Sequence, residues 1–138
     1  MKTIVLTGGG TAGHINPNIA LIPHLQSKGY EVHYLGQKDG MEQKLVSSIP
    51  GVTYHCVRSG KLRRYFSLKN FTDPFKVIAG AAESVSLMRK LRPDVVFSKG
   101  GFVSVPVVVG AWMCHVPTVC HESDLTPGLA NRICAKFA

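Results

Sequence analysis

Four glycines within residues 8–13 are followed at once by His14, which places a titratable base beside a loop suited to bind an anion. Glycine has no Cβ, so the backbone N–H groups of such a loop can approach a ligand closely. The apolar residues 3–6 predict a strand before the loop, and Asn16 with Pro17 is typical of a helix start after it. Because helix N-termini attract anions, the sequence predicts a phosphate or a similar group at this loop.

The same loop also fits the dinucleotide-binding pattern G-x-G-x-x-G through Gly8, Gly10 and Gly13. That pattern expects an acidic residue at the end of the second strand, where it binds a ribose hydroxyl. The second predicted strand instead ends in Gly36-Gln37-Lys38, which disfavours a nicotinamide-dependent oxidoreductase. A plain strand-to-helix turn with a solvated histidine stays open as the simplest alternative at this loop.

Two later loops repeat the arrangement of polar groups between a strand and a helix. In the second loop, residues 99–104, Gly100 and Gly101 follow an apolar strand, and Ser104 stands at a helix start. The third loop, residues 121–126, carries the titratable side chains of His121, Glu122 and Asp124. Each loop alone fits ordinary turn chemistry, but three such loops at one edge of a sheet predict a site.

Strands and helices alternate regularly along the chain. The predicted strands are 3–6, 31–35, 53–57, 94–98 and 118–120, and the predicted helices are 17–28, 41–47, 74–91, 105–113 and 127–137. Apolar strands in β/α alternation indicate an α/β fold with a doubly wound parallel sheet, a Rossmann-like domain spanning residues 1–138. Ligands of such sheets gather beyond the carboxyl ends of the strands, where all three loops are expected.

Composition limits the function classes. The chain of 138 residues is 45% hydrophobic and has a net charge of +8, and residues 51–100 hold ten basic against three acidic residues. A local excess of this kind suggests one anionic surface partner rather than nucleic acid. The four cysteines lack the spacing of a zinc site, so reduced thiols and no metal are expected.

The basic excess is concentrated in residues 58–76, where six basic residues stand against Asp73 and alternate with aromatic ones. Cations beside exposed rings are typical of a protein face that docks on an anionic membrane. We expect this docking through five residues, Lys61, Arg63, Arg64, Phe66 and Phe71. The alternatives are a basic loop whose aromatics fold into the core, and RNA binding, for which no sequence motif is present.

Three motifs together resemble the N-terminal half of the MurG family, the peptidoglycan lipid I N-acetylglucosaminyltransferases. The motifs are Gly9-Gly10-Thr11-Ala12-Gly13-His14, Gly100-Gly101-Phe102-Val103-Ser104, and His121-Glu122 followed by Pro127-Gly128-Leu129-Ala130-Asn131. The resemblance covers essentially the whole chain, in its MurG-like subgroup. It implies a GT-B glycosyltransferase of two Rossmann-like domains, of which this chain is the N-terminal acceptor and membrane domain. The C-terminal donor-binding domain is absent, and we therefore expect the chain to be an inactive fragment.

The reaction implied by the resemblance is transfer of GlcNAc from UDP-GlcNAc to the muramoyl 4-hydroxyl of lipid I. It gives lipid II with inversion at the anomeric carbon and needs no metal or other cofactor. The implied partners are lipid I, UDP-GlcNAc and the anionic cytoplasmic face of the cell membrane, where the protein is peripheral. A non-catalytic, membrane-docking half of a split GlcNAc transferase is the alternative.

The resemblance also implies roles for single residues. His14 takes the position of the general base, and Glu122 an acidic position lining the cleft. On the donor side the matching positions are Thr11, Ala12, Gly13 and Asp124, and on the acceptor diphosphate side they are Gly10, His14, Gly100, Gly101 and Ser104. Three positions depart from the usual family pattern: Ala12 replaces a glycine, Phe102 a tyrosine and Asp124 an asparagine.

Overall fold

The computed structural model describes residues 2–9, 12–58, 69–101, 103–121 and 134–137, which form a parallel β-sheet with helices on both faces. The sheet has the strand order β3-β2-β1-β4-β5. Its strands are β1 (Lys2–Thr7), β2 (Tyr30–Gly36), β3 (Val52–Cys56), β4 (Val95–Ser98) and β5 (Thr118–Cys120). The chain leaves β3 at one edge and returns to pair β4 with β1, so the topological switch point lies between β1 and β4. The predicted doubly wound parallel sheet is confirmed.

The helices are α1 (Ala12–Ser27), α2 (Met41–Val46), α3 (Lys69–Leu91) and α4 (Ser104–Met113). Each face of the sheet has its own apolar core. On one face Val5 of β1 is buried with Met88 of α3 and Val107 of α4. On the other face Leu6 is buried with Ile22 of α1 and Val46 of α2. Neighbouring residues of β1 thus point to opposite cores, as the alternation along a strand requires.

The predicted strands agree with the observed ones to within a residue or two, but the start of α1 was predicted wrongly. The helix begins at Ala12, and both Pro17 and Pro23 lie inside it. The Asn-Pro start signal is overridden because Ile15 and Ile22 are fully buried on one helical face, which requires helical backbone from the first turn onward. Consequently Gly13 and His14 belong to the first turn of α1 rather than to the preceding loop.

Two other helices also differ from expectation at their ends. The helix α3 begins at Lys69 rather than at residue 74, and α4 begins at Ser104 rather than at residue 105. The predicted helix 127–137 falls mostly outside the described residues. Within the part of the chain that the structure describes, no helix is long and apolar enough to cross a membrane. In the same part, no group of three or more metal-ligating side chains comes together.

Candidate functional site

The first two glycine loops meet at the carboxyl edge of the sheet, on either side of the switch point. The amide of Gly9 donates to the carbonyl of Gly100 over 3.3 Å, and the amide of Lys99 donates to the carbonyl of Thr7 over 2.9 Å. The third loop starts at the same edge, because the amide of His121 donates to the carbonyl of Ser98 over 2.8 Å. The predicted convergence of three loops is therefore confirmed as far as the third loop is described.

The contact between the loops depends on glycine at position 101. The backbone of Gly101 has a φ of +85°, in the left-handed region that side chains other than glycine rarely adopt. A Cβ built on this residue would collide with the carbonyl oxygen of Gly9. The two loops can thus approach each other only while residue 101 has no side chain.

His14 is tied to the first loop through one nitrogen of its ring. Its Nδ1 lies 3.1 Å from the carbonyl oxygen of Gly9. A carbonyl oxygen only accepts hydrogen bonds, so the neutral ring carries its proton on Nδ1 and its lone pair on Nε2. The half-buried imidazole is therefore fixed at the edge where the loops meet, and its role as a general base stays a prediction.

Two buried polar residues support the first loop from below. The Nδ2 of Asn18 donates to the carbonyl of Thr7 over 3.1 Å, and the hydroxyl of Tyr34 donates to the carbonyl of Gly8. Burial raises the pKa of Tyr34 well above its usual range, with a smaller contribution from the charge of Glu42, so the phenol stays protonated and remains a donor. These two hydrogen bonds fix the backbone at Thr7 and Gly8, where the loop begins.

A buried carboxylate lies beside the same loop. Glu42 is 1% exposed, and its Oε1 accepts the amide of Gln37 over 3.0 Å. Cβ atoms built on Gly9 or Gly36 would lie 2.6 Å from atoms of this side chain, so these glycines make room for it. Burial, and next the charge of Glu42, raises the pKa of Tyr54, whose hydroxyl donates to the carbonyl of Gln37 over 2.7 Å.

The side chain of Ser104 closes the second loop. Its hydroxyl donates to the carbonyl of Gly101 over 2.6 Å, and the residue is fully buried. The Sγ of Cys134 lies 3.6 Å from the same hydroxyl. Ser104 therefore fixes the carbonyl of Gly101, and direct contact of its side chain with a ligand stays a prediction.

The structure brings together several of the residues singled out from the sequence, namely His14, Gly100, Gly101 and Ser104, with Gly13 exposed in the first turn of α1. Of Ala12 it describes the backbone only. The candidates outside the described residues are Gly10, Thr11, Glu122 and Asp124, together with Lys61, Arg63, Arg64 and Phe66 of the membrane segment. Phe71 lies in α3, where its backbone alone is described.

Sequence reasoning missed four residues that shape the site: Asn18, Tyr34, Glu42 and Lys99. For two of these residues, the pattern of apolar residues in the sequence contains a signal. Asn18 occupies a position on the apolar face of α1, between Ile15 and Ile22, and Lys99 directly follows a buried strand. A polar residue inside a buried pattern needs a partner, and here each partner lies in a loop of the site.

Comparison with known proteins gives a consistent result. A model of the glycosyltransferase family 28 N-terminal domain matches residues 4–138. The chain is 59% identical over 136 residues to a protein of Clostridium tetani and 58% identical over 137 residues to one of Geobacillus thermodenitrificans. Both carry the name UDP-N-acetylglucosamine--N-acetylmuramyl-(pentapeptide) pyrophosphoryl-undecaprenol N-acetylglucosamine transferase. Each match covers 99% of this chain but only 38% of the relative.

Solved structures agree with the fold. The crystal structure of Acinetobacter baumannii MurG matches with a TM-score of 0.83 and 25% identity, covering 100% of this chain and 39% of that one. The UDP-GlcNAc 2-epimerase of Methanocaldococcus jannaschii matches with a TM-score of 0.64 at 13% identity, over 100% of this chain and 38% of the epimerase. At that identity the second likeness shows the fold alone.

Proposed function

The chain belongs to glycosyltransferase family 28, whose N-terminal domain it forms, and from this membership we propose that it is the acceptor-binding part of an N-acetylglucosaminyltransferase. The proposed reaction moves GlcNAc from UDP-GlcNAc to the muramoyl hydroxyl of a polyprenyl-diphosphate-linked muramyl pentapeptide, the substrate class in the relatives' name. The observation that carries the proposal is the pair of joined glycine loops with His14 fixed beside them. The relatives are single longer chains, which favours this role over the non-catalytic half of a split transferase.

In the proposed chemical step His14 acts as the general base. Its Nδ1–H is held by the carbonyl of Gly9, so Nε2 can accept the proton of the attacking muramoyl hydroxyl. As that proton leaves, the hydroxyl oxygen bonds to the anomeric carbon of GlcNAc, and UDP departs with the electron pair of the old glycosidic bond. A single displacement of this kind inverts the anomeric centre. The step uses no metal or other cofactor.

The diphosphate of the acceptor is proposed to bind at the two glycine loops. The helix α4 begins directly after the second loop, and α1 directly after the first. Their N-terminal amides and helix dipoles favour negative charge at this edge. Buried Asn18 and Tyr34 hold the carbonyls of Thr7 and Gly8 inward, which supports a loop whose amides serve the ligand.

The first turns of α3 are proposed to dock the domain on the cytoplasmic leaflet. Phe75 is 73% exposed and Ile78 66% exposed, one helical turn apart and beside the exposed Lys76. Apolar side chains at this spacing share one helix face, and a neighbouring cation suits anionic headgroups. Phe75 and Lys76 belong to the basic and aromatic segment 58–76, and Ile78 follows it, so the segment and this helix face would form one docking surface.

Membrane docking makes a prediction that vesicle co-sedimentation can check. Changing Phe75 and Ile78 to serine should weaken binding to anionic vesicles at every salt concentration. The change removes apolar contacts with the bilayer, and salt does not screen such contacts. Changing Lys61, Arg63 and Arg64 to serine should weaken it mainly at low salt, since each cation contributes about 1 kcal/mol within a Debye length.

The matched control changes Met41 and Leu45, which are exposed on α2, to serine. We expect these variants to bind vesicles like the parent. Equal binding of the parent and all variants would show that neither α3 nor the basic segment docks on the membrane.

A transfer assay tests the proposed function itself. We define the full-length protein as this chain continued by the remaining length of the Clostridium tetani relative. Incubated with UDP-GlcNAc and a short-chain polyprenyl-diphosphate muramyl pentapeptide, it should yield a product heavier by one N-acetylhexosamine in mass spectrometry. Hydrolysis of UDP-GlcNAc without a glycosylated acceptor would contradict the proposal.

A further inference from the structure

A buried lysine lies under an exposed histidine at the carboxyl ends of β4 and β5. These strands pair in parallel with Ser98 opposite Cys120, so Lys99 and His121 follow them side by side. The Nζ of Lys99 lies 2.8 Å from the Nδ1 of His121. Lys99 is only 2% exposed, whereas His121 is exposed at the edge of the sheet.

Lys99 also belongs to the environment of the first glycine loop. Its amide donates to the carbonyl of Thr7, and a Cβ built on Gly8 would lie 3.1 Å from the Cβ of Lys99. On its other side, His121 stacks on the ring of Phe97 with the centroids 6.2 Å apart. The pair therefore connects the first loop to the start of the third.

The chemistry of this contact fixes the tautomer of His121. An ammonium group has three donors and no acceptor, so Nδ1 of the imidazole must accept. The neutral ring then carries its proton on Nε2. His14 has the opposite arrangement, because its Nδ1 faces the carbonyl of Gly9 and must donate.

We propose that Lys99 is a positioning residue that holds His121 as an Nε2–H donor, and that His121 uses this N–H to bind a phosphate oxygen of the acceptor diphosphate. The identity of the ligand rests on the proposed function; the tautomer does not. The site then contains two imidazoles with opposite duties: His14 presents a lone pair to a hydroxyl, and His121 presents a proton to an anion. The positive charge of Lys99, close behind the ring, adds to the attraction for that anion.

Nitrogen-15 NMR of the histidine rings tests the tautomer on this chain directly. Under mildly alkaline conditions, where imidazoles are neutral, we expect the signals of His121 to show a bare Nδ1 and a protonated Nε2. The signals of His14 should show the reverse, and exposed His24 supplies the reference for a ring in solvent. A proton on Nδ1 of His121, or the same tautomer mixture as in His24, would overturn the proposal.

Two substitutions separate positioning from simple packing. Lys99→Met keeps a long side chain but has no donor, so His121 should relax to the tautomer mixture of His24. Lys99→Arg keeps a group that only donates, so the Nε2–H form should be retained. Amide spectra establish that both variants are folded. Retention of the Nε2–H form in folded Lys99→Met would show that lysine does not set the tautomer.

Titration with inorganic diphosphate tests the ligand. In the parent chain the Nε2 signal of His121 should shift together with the amides of Gly9 and Gly100, and Lys99→Met should raise the Kd roughly ten-fold, because the positive charge behind the ring and the hold on its tautomer are both lost. An unmoved His121 signal in the parent would refute its role in binding. If diphosphate binds as described but the full-length protein transfers no sugar, the proposed function fails and the Lys99–His121 pair stands.

Discussion

Replacing His14 by alanine in the full-length protein is expected to lower kcat by about 10² to 10⁴ while changing KM much less, as for the loss of a general base. The ring is held through Nδ1 by the carbonyl of Gly9, so its Nε2 is the basic atom offered to the acceptor hydroxyl. Steady-state kinetics with saturating UDP-GlcNAc and varied acceptor separate the two constants. His24→Ala, an exposed change on the same helix, is the matched control and should leave kcat unchanged.

A kcat for His14→Ala within a few-fold of the parent would contradict the assignment. His14 would then be a structural residue of the first turn of α1, and the base would be sought elsewhere. Glu122, which the family resemblance places in the cleft, is the next candidate.

Gly101→Ala is expected to lower kcat/KM roughly 10²-fold, because a new Cβ displaces the backbone of Gly9 and moves both loops. Gly29→Ala is a close control. Gly29 has a φ of +86° against +85° for Gly101, but a Cβ there meets nothing within 4 Å. Both variants should lose about 1–2 kcal/mol of unfolding free energy through left-handed strain. Only Gly101→Ala should lose further stability and activity.

Urea unfolding and kcat/KM, measured side by side, check this difference. The same stability and activity in the two variants would mean that the enzyme does not need the close approach of the two loops. Loss of activity in Gly29→Ala alone would contradict the location of the site.

The sheet was predictable because its central strands, β1, β2 and β4, are short and largely buried blocks bounded by turn residues, and such a block has few alternatives. The start of α1 was not predictable, because a local helix-start signal at Asn16 and Pro17 competed with the burial of Ile15 and Ile22. Such burial depends on the sheet beneath the helix. The position of a proline relative to a helix start therefore could not be decided from neighbouring residues alone.

The glycine loops were predictable for a similar reason, since each is a local strand-to-helix connection. The residues that hold these loops in place were not predictable. Tyr34 reaches Gly8, and Lys99 reaches His121, only after separate strands have paired. In the sequence Tyr34 looks like an ordinary strand residue, and Glu42 like an ordinary residue of a short helix. Their role follows from the strand order and not from their spacing.

The central claim, that this domain serves the acceptor rather than the donor, is tested most directly by calorimetry on the chain itself. Titrated with a short-chain polyprenyl-diphosphate muramyl pentapeptide, it should show saturable binding. Titrated with UDP-GlcNAc, it should bind no tighter than about millimolar, roughly 4 kcal/mol, because most donor contacts are expected in the remaining length of the relatives. Micromolar binding of UDP-GlcNAc without binding of the acceptor would contradict the account.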